Sequence, residues 1–186
     1  MSDAEVARKV LGSYQGLLVA NPIRQPADPV KLKAAGEIER KIALHQPSDD
    51  HNLTPAEART WKQSPDYWVA GGEIVSQNLD RPLTCILFAH LCIYALKKDA
   101  PKFTVPIEIV ELKKGGYDNH YILVAGRTKG DINGKLSEWD QEAFIIDLWG
   151  YSQGLGTLVS QPPAIIVEGM DDYSRKTVVT IPAWGI

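Results

Sequence analysis

Pro82-Leu-Thr-Cys-Ile-Leu-Phe-Ala-His-Leu-Cys-Ile-Tyr-Ala-Leu-Lys97 is the most apolar stretch of the chain, and its reading decides the fold. The pattern predicts a helix over 83–97 that is apolar around most of its circumference, so it belongs inside a domain rather than on its surface. The run from Ile86 to Leu96 is interrupted by His90 and is too short to cross a bilayer, which takes about 20 apolar residues. A buried helix needs other layers packed around it, and the flanking sequence supplies them.

Upstream, the chain reads helical. Asp3 to Val19 carries Val6, Val10, Leu17 and Leu18 at helical spacing, weakened by Gly12 and Gly16. Asp28-Pro29 combines a cap with a proline at the first helical position and opens a helix to about Leu44. Val30, Leu32, Ala35, Ile38 and Ile42 give that helix a broad apolar stripe. After the loop from Gln46 to His51, Thr54-Pro-Ala-Glu57 forms a capping box for a short helix to Trp61 or Lys62. Ser64-Pro-Asp66 starts the next segment, expected to help wall the site.

Downstream, the chain reads as strands: Val105 to Leu112, His120 to Ala125 and Ala143 to Asp147, with weaker candidates at Ala164 to Glu168 and Lys176 to Ile181. Ser152 to Gln161 reads as irregular. Helices followed by an antiparallel sheet make an α+β protein, read here as one domain over 1–186 with a helical part to about residue 98.

Composition narrows the function classes. With 20 basic and 23 acidic residues the net charge is −3, which lacks the basic footprint of a nucleic-acid binder. Met1-Ser-Asp-Ala-Glu-Val-Ala-Arg-Lys9 is charged on both sides and leads into no long apolar core, so no cleaved signal peptide is expected. The two cysteines, Cys85 and Cys92, lie about 10 Å apart along one helix, beyond the roughly 7 Å Cα separation a disulfide allows. Reduced thiols and a cytosolic setting follow. No Cys-x-x-Cys or His-x-x-x-His spacing calls for a metal, and no cofactor is expected.

Three residues remain with chemistry to explain. Cys85 stands at the helix start, where the macrodipole and unpaired N–H groups favour a thiolate, whereas Cys92 lies in the helix interior and reads as core filler. His90, five residues along, is turned about 140° away from Cys85 and reads as a satisfied core histidine. His45 and His51 flank a polar loop. His120 leads directly into a strand, where one ring nitrogen can face the thiol and the other a carboxylate. Asp147 ends Phe-Ile-Ile with a charge that needs a partner, and Trp149 is placed to cover the resulting hydrogen bond. For the oxyanion, the candidates are the Cys85 backbone N–H and the side-chain amides of Gln77 and Asn78. Considered singly, these residues have ordinary readings as a core thiol, a strand-end histidine and a turn aspartate; the ordered set is what points to nucleophilic catalysis.

That set resembles the papain-like and transglutaminase-like cysteine hydrolases. In those enzymes a cysteine sits at the N-terminus of a central helix, and a histidine and an Asp or Asn lie on adjacent strands. Asp147-Leu-Trp-Gly150 looks like the family's Asn/Asp-x-Trp-Gly motif, and Asn119-His-Tyr-Ile-Leu-Val124 looks like its histidine strand. The resemblance covers about Gln77 to Tyr151 and is nearest to small bacterial effector and toxin domains. Thr84 and Ile86 depart from the small residues the family often places beside its cysteine.

The resemblance implies a papain-like domain that attacks amide bonds of a protein substrate through Cys85, His120 and Asp147. It further implies delivery into a host or target-cell cytosol, with a dedicated inhibitor or host protein as partner. Trp149, Tyr117, Tyr151 and Trp68 would wall the site. Protease, glutamine deamidase and transglutaminase or acyltransferase outcomes all share one acyl-enzyme and stay open here. So does a non-catalytic partner-binding domain of the same fold.

Overall fold

The computed structural model describes residues 1–14, 28–47, 53–114, 118–164 and 173–185. Among these, helices α1 (Asp3–Gly12), α2 (Pro29–Leu44), α3 (Pro55–Lys62), α4 (Pro65–Ser76) and α5 (Cys85–Asp99) come first. Strands β1 (Ile107–Lys114), β2 (Asp118–Ala125) and β3 (Phe144–Ile146) follow, then a short helix α6 (Leu148–Ser152) and strands β4 (Val159–Ser160) and β5 (Ser174–Ile181). The sheet is antiparallel in the order β4-β3-β2-β1-β5, which makes the fold α+β.

Local chemistry explains the helix starts. Ser2 and Glu5 close a capping box on α1, and Thr54 and Glu57 close another on α3. The Asp28 and Ser64 side chains cap α2 and α4 ahead of prolines at the first helical position. Four helices therefore begin where a side-chain oxygen satisfies a first-turn N–H.

α5 is the hub. Leu87, Phe88, Ala89, Leu91, Cys92, Ile93, Ala95 and Leu96 are all buried, and the helix touches α1, α4, α6 and β2. Its closest partner is α4, because Gly71 and Gly72 present no side chain to α5. A Cβ on Gly72 would lie only 2.9 Å from the His90 carbonyl carbon, so the two backbones approach as only glycine permits. One face of the sheet joins this core through Ile107, Ile109, Leu123, Ala125, Phe144 and Ile146. A second cluster, with Val110, Leu112, Ile122, Val124, Ile145 and Trp139, covers the other face. β1 serves both clusters, with Ile107 and Ile109 in the first and Val110 and Leu112 in the second, and its pairing with β5 shifts register between Ile109 and Val110.

Several expectations are adjusted. The apolar stripe of α2 is narrower than the sequence reading: Ala35, Ile38 and Ile42 are buried, but Val30 and Leu32 are 76% and 45% exposed. At 100° per residue these two lie roughly a quarter turn or more from the centre of the buried stripe. The strand expected to end at Asp147 stops at Ile146, and Asp147 instead caps α6, a helix the sequence reading lacked. The stretch read as irregular contains β4, which pairs Val159 with Ile146. The later part of the first predicted helix, His51, Tyr117 and the strand candidate beyond Ala164 lie outside the described residues. Among the described residues no helix is long and apolar enough to cross a membrane.

Candidate active site

Three elements converge at the N-terminus of α5. Cys85 is its first residue, partly buried, and its thiol donates to the Asn119 carbonyl at 3.7 Å. β2 carries His120, only 2% exposed, and the step from β3 into α6 carries Asp147, 6% exposed. His120 Nε2 bonds Asp147 Oδ2 at 2.8 Å. Because a carboxylate oxygen accepts, Nε2 carries the proton and Nδ1 is left for the Cys85 side. Burial works against a charged imidazole, but hydrogen bonds with Asp147 and Cys85, and their charges, outweigh it and push His120 up to about 9.

The geometry of Asp147 rests on α6. Its Oδ1 accepts the Gly150 N–H at 2.7 Å, so one carboxylate caps a helix and orients an imidazole at once. A Cβ at Gly150 would lie 2.5 Å from Oδ2 and 2.9 Å from Cγ, so only glycine leaves room for the carboxylate to fold back. The Trp149 ring, half-buried, lies 5.0 Å from the imidazole at 54° and covers it on one side.

The start of α5 has an unusual cap. Thr84 has N-cap geometry but makes no side-chain cap; its hydroxyl donates instead to Glu39 Oε1 on α2 at 2.6 Å. The first-turn N–H groups beside the thiol thus lack a side-chain acceptor, the condition for receiving a negatively charged oxygen there. Asn78 Nδ2 donates to the Ile74 carbonyl at 2.7 Å, capping α4, and Gln77 is the exposed C-cap of that helix. Of the oxyanion candidates, the Cys85 backbone N–H is the one at the thiol itself.

Other residues take different places. Trp68 is buried and stacks on His90 at 4.2 Å. Tyr151 lines a separate cavity with Arg8 and Pro162. Cys92 is buried, and burial, helped by the Asp147 charge, pushes its thiol up.

The sequence reading missed a polar group on the β2 side. The Tyr121 hydroxyl and Asn119 Nδ2 both donate to Glu111 Oε1 at 3.1 Å, and Lys113 pairs with Glu111 Oε2 at 3.0 Å. Burial, then the charge and hydrogen bond of Glu111 and the charges of Cys85 and Glu39, push the Tyr121 hydroxyl up. The register Glu111↔Tyr121 carries the only advance signal, a carboxylate opposite a phenol in a hairpin.

Among the described residues no group of three His, Cys, Asp or Glu side chains could hold a metal ion. Comparisons with family models, with curated proteins and with solved structures gave no match.

Proposed function

We propose that the protein is a cysteine hydrolase acting on amide bonds of a protein substrate, with Cys85 as nucleophile, His120 as acid and base, and Asp147 as the group that orients His120. The observation that carries this reading is the imidazole of His120, held between the buried Asp147 carboxylate and the Cys85 thiol and pushed up to about 9 by them. Such a ring can hold the proton that Cys85 gives up as it attacks.

The chemistry follows. The Cys85 thiolate attacks the amide carbon, a C–S bond forms, and the carbonyl electrons move onto oxygen, which the N–H groups at the start of α5 receive. His120 gives its proton to the amide nitrogen, the C–N bond breaks, and the amine leaves. Water then gives a proton to His120, attacks the thioester and releases the acid, which regenerates the thiolate–imidazolium pair. A glutamine side chain would yield ammonia, and a backbone amide would yield two chains. An amine in place of water would give transfer by the same acyl-enzyme.

The setting proposed for this chemistry is that of a bacterial effector or toxin acting in a target-cell cytosol. The support is that neither cysteine is in a disulfide, together with the resemblance in motif order. The test is incubation of wild type and Cys85→Ala with host cell extract, read by intact mass. Deamidation adds about one mass unit, proteolysis yields fragments, and transfer adds the amine. Indistinguishable extracts across several hosts would replace this reading with a partner-binding domain.

A further inference from the structure

Along the first two turns of α5, the side that faces α2 and α4 opens into a cavity of about 200 Å³ lined by Glu39, Ile42, Tyr67, Ile86, Leu87 and His90. Ile86 and Leu87 directly follow Cys85, so the cavity begins within about 3 Å of it along the helix axis. Its walls are mostly apolar, and its polar groups are Glu39, Tyr67 and His90.

Glu39 supplies the charge. Thr84 holds Oε1, Glu39 lines the cavity, and no ion pair to Glu39 occurs among the described residues. His90 supplies a fixed acceptor. Its Nδ1 lies 3.2 Å from the Trp68 carbonyl, which can only accept, so the proton sits on Nδ1 and Nε2 is a bare lone pair. His90 is 2% exposed, and burial holds it down at about 4, so the ring stays neutral. Nε2 has no partner among the described residues. Trp68 stacked at 4.2 Å, Tyr67 edge-on at 5.3 Å and the bare Gly71 hold the ring in one orientation. A buried histidine that lines a cavity with one nitrogen bonded and the other bare is prepared for a donor from outside.

A carboxylate and a neutral imidazole lone pair, both acceptors, stand in an apolar sleeve with the Tyr67 phenol, which can donate or accept. We propose that this cavity is the specificity subsite of the Cys85 centre and takes a basic side chain, arginine or lysine, of the protein substrate. The aliphatic stem would lie along Ile42, Ile86 and Leu87, and the cationic head would donate to Glu39 and His90. This inference rests on the proposed hydrolase reading for its purpose, but not for its test.

The test uses the full chain carrying Cys85→Ala, so that binding is read without turnover. The probes are N-acetyl-arginine methylamide and the N-acetyl-citrulline counterpart, which keeps the shape and removes the charge. Binding is followed by the NMR shifts of Ala43, Ile86 and His90. Arginine should bind at least about tenfold more tightly than citrulline, and Glu39→Gln should erase the difference while sparing the acceptor for Thr84. Equal affinities, an effect unchanged by Glu39→Gln, or shifts that avoid this cavity would overturn the proposal. In parallel, the wild type is treated with arginyl and citrullyl chloromethyl ketones. Selective arginine binding with no labelling of Cys85 would reject the hydrolase and leave the subsite standing.

Discussion

The backbone N–H of Gly150 donates to Oδ1 of Asp147 at 2.7 Å, and the missing Cβ of that glycine is what lets the carboxylate reach back over the start of α6. The other oxygen, Oδ2, then meets His120 Nε2 at 2.8 Å. The order Asp-Leu-Trp-Gly is thus a mechanical unit: the aspartate caps, the tryptophan covers the imidazole, and the glycine makes room.

The first prediction follows from that room. Alanine at position 150 would gain about 1 kcal/mol of helix propensity but would place a methyl 2.5 Å from Oδ2, and the carboxylate must swing away. Gly150→Ala should therefore lower the rate of Cys85 alkylation at pH 6 by about tenfold, a 1.4 kcal/mol effect, while thermal melting changes little. An alkylation rate equal to wild type would show that the carboxylate position does not matter to the thiol.

Asp147→Asn tests the electrostatics. His120 stands above its ordinary 6.5, at about 9, because Asp147 and Cys85 outweigh burial. With the carboxylate charge removed, burial dominates and the ring should titrate below its wild-type value, as read by NMR of the His120 side chain. The sign for stability follows from the raised value. The contribution of His120 is complete below about pH 6.5 and is lost as pH rises through about 9. The stability gap between wild type and Asp147→Asn in urea should therefore be larger at pH 6 than at pH 9.5. A gap that widens with pH would reverse the assignment of the charged pair.

The helical first half and the sheet that follows were legible because period and caps agree: Asp28-Pro29 and the Thr54–Glu57 box open helices where expected. Cys85 and Asp147 were legible because each stands at an element boundary, and His120 because it lies near the start of a strand, two residues inside β2. What the sequence hid depends on partners distant in the chain. Thr84 reads as an N-cap, yet Glu39, 45 residues upstream, takes its hydroxyl. His90 reads as a satisfied core histidine, and its unbonded nitrogen is visible only once Trp68 and the α2–α4 wall are in place. Val30 and Leu32 satisfy a loose helical pattern, but only contact with the core tells a buried apolar residue from an exposed one. The two-residue strand β4 is too short to carry a periodic signal at all.

The two thiols should differ in reactivity. Cys85 is partly exposed beside His120, whereas Cys92 is buried and its thiol is pushed up by burial and by the Asp147 charge. Limiting iodoacetamide at pH 6, followed by peptide mass spectrometry, should place the label on Cys85. Preferential labelling of Cys92 would sink the nucleophile assignment, and equal labelling only after addition of urea would support it.

A last prediction concerns the contact that holds the Cys85 helix in place, and it turns on one substitution made at two glycines. In an open helix, Gly→Ala stabilises by about 0.8–1 kcal/mol through reduced backbone freedom. At Gly36, in α2, a Cβ meets nothing within 4 Å, so Gly36→Ala should show that gain undiminished. At Gly72, in α4, the same methyl would meet the backbone of His90 and the Tyr94 Cβ, neither of which can rotate aside. Overpacking of this kind costs about 1–3 kcal/mol and exceeds the propensity gain. Gly72→Ala should therefore melt several degrees below wild type and Gly36→Ala a few degrees above it, since about 1 kcal/mol moves the midpoint by 2–4 °C at this size. Displacement of α5 would also carry Cys85 away from His120, so alkylation at pH 6 should slow in Gly72→Ala and stay unchanged in Gly36→Ala. If both variants were stabilised alike, α4 and α5 would not be in backbone contact, and the placement of His90 against the cavity would fall with it.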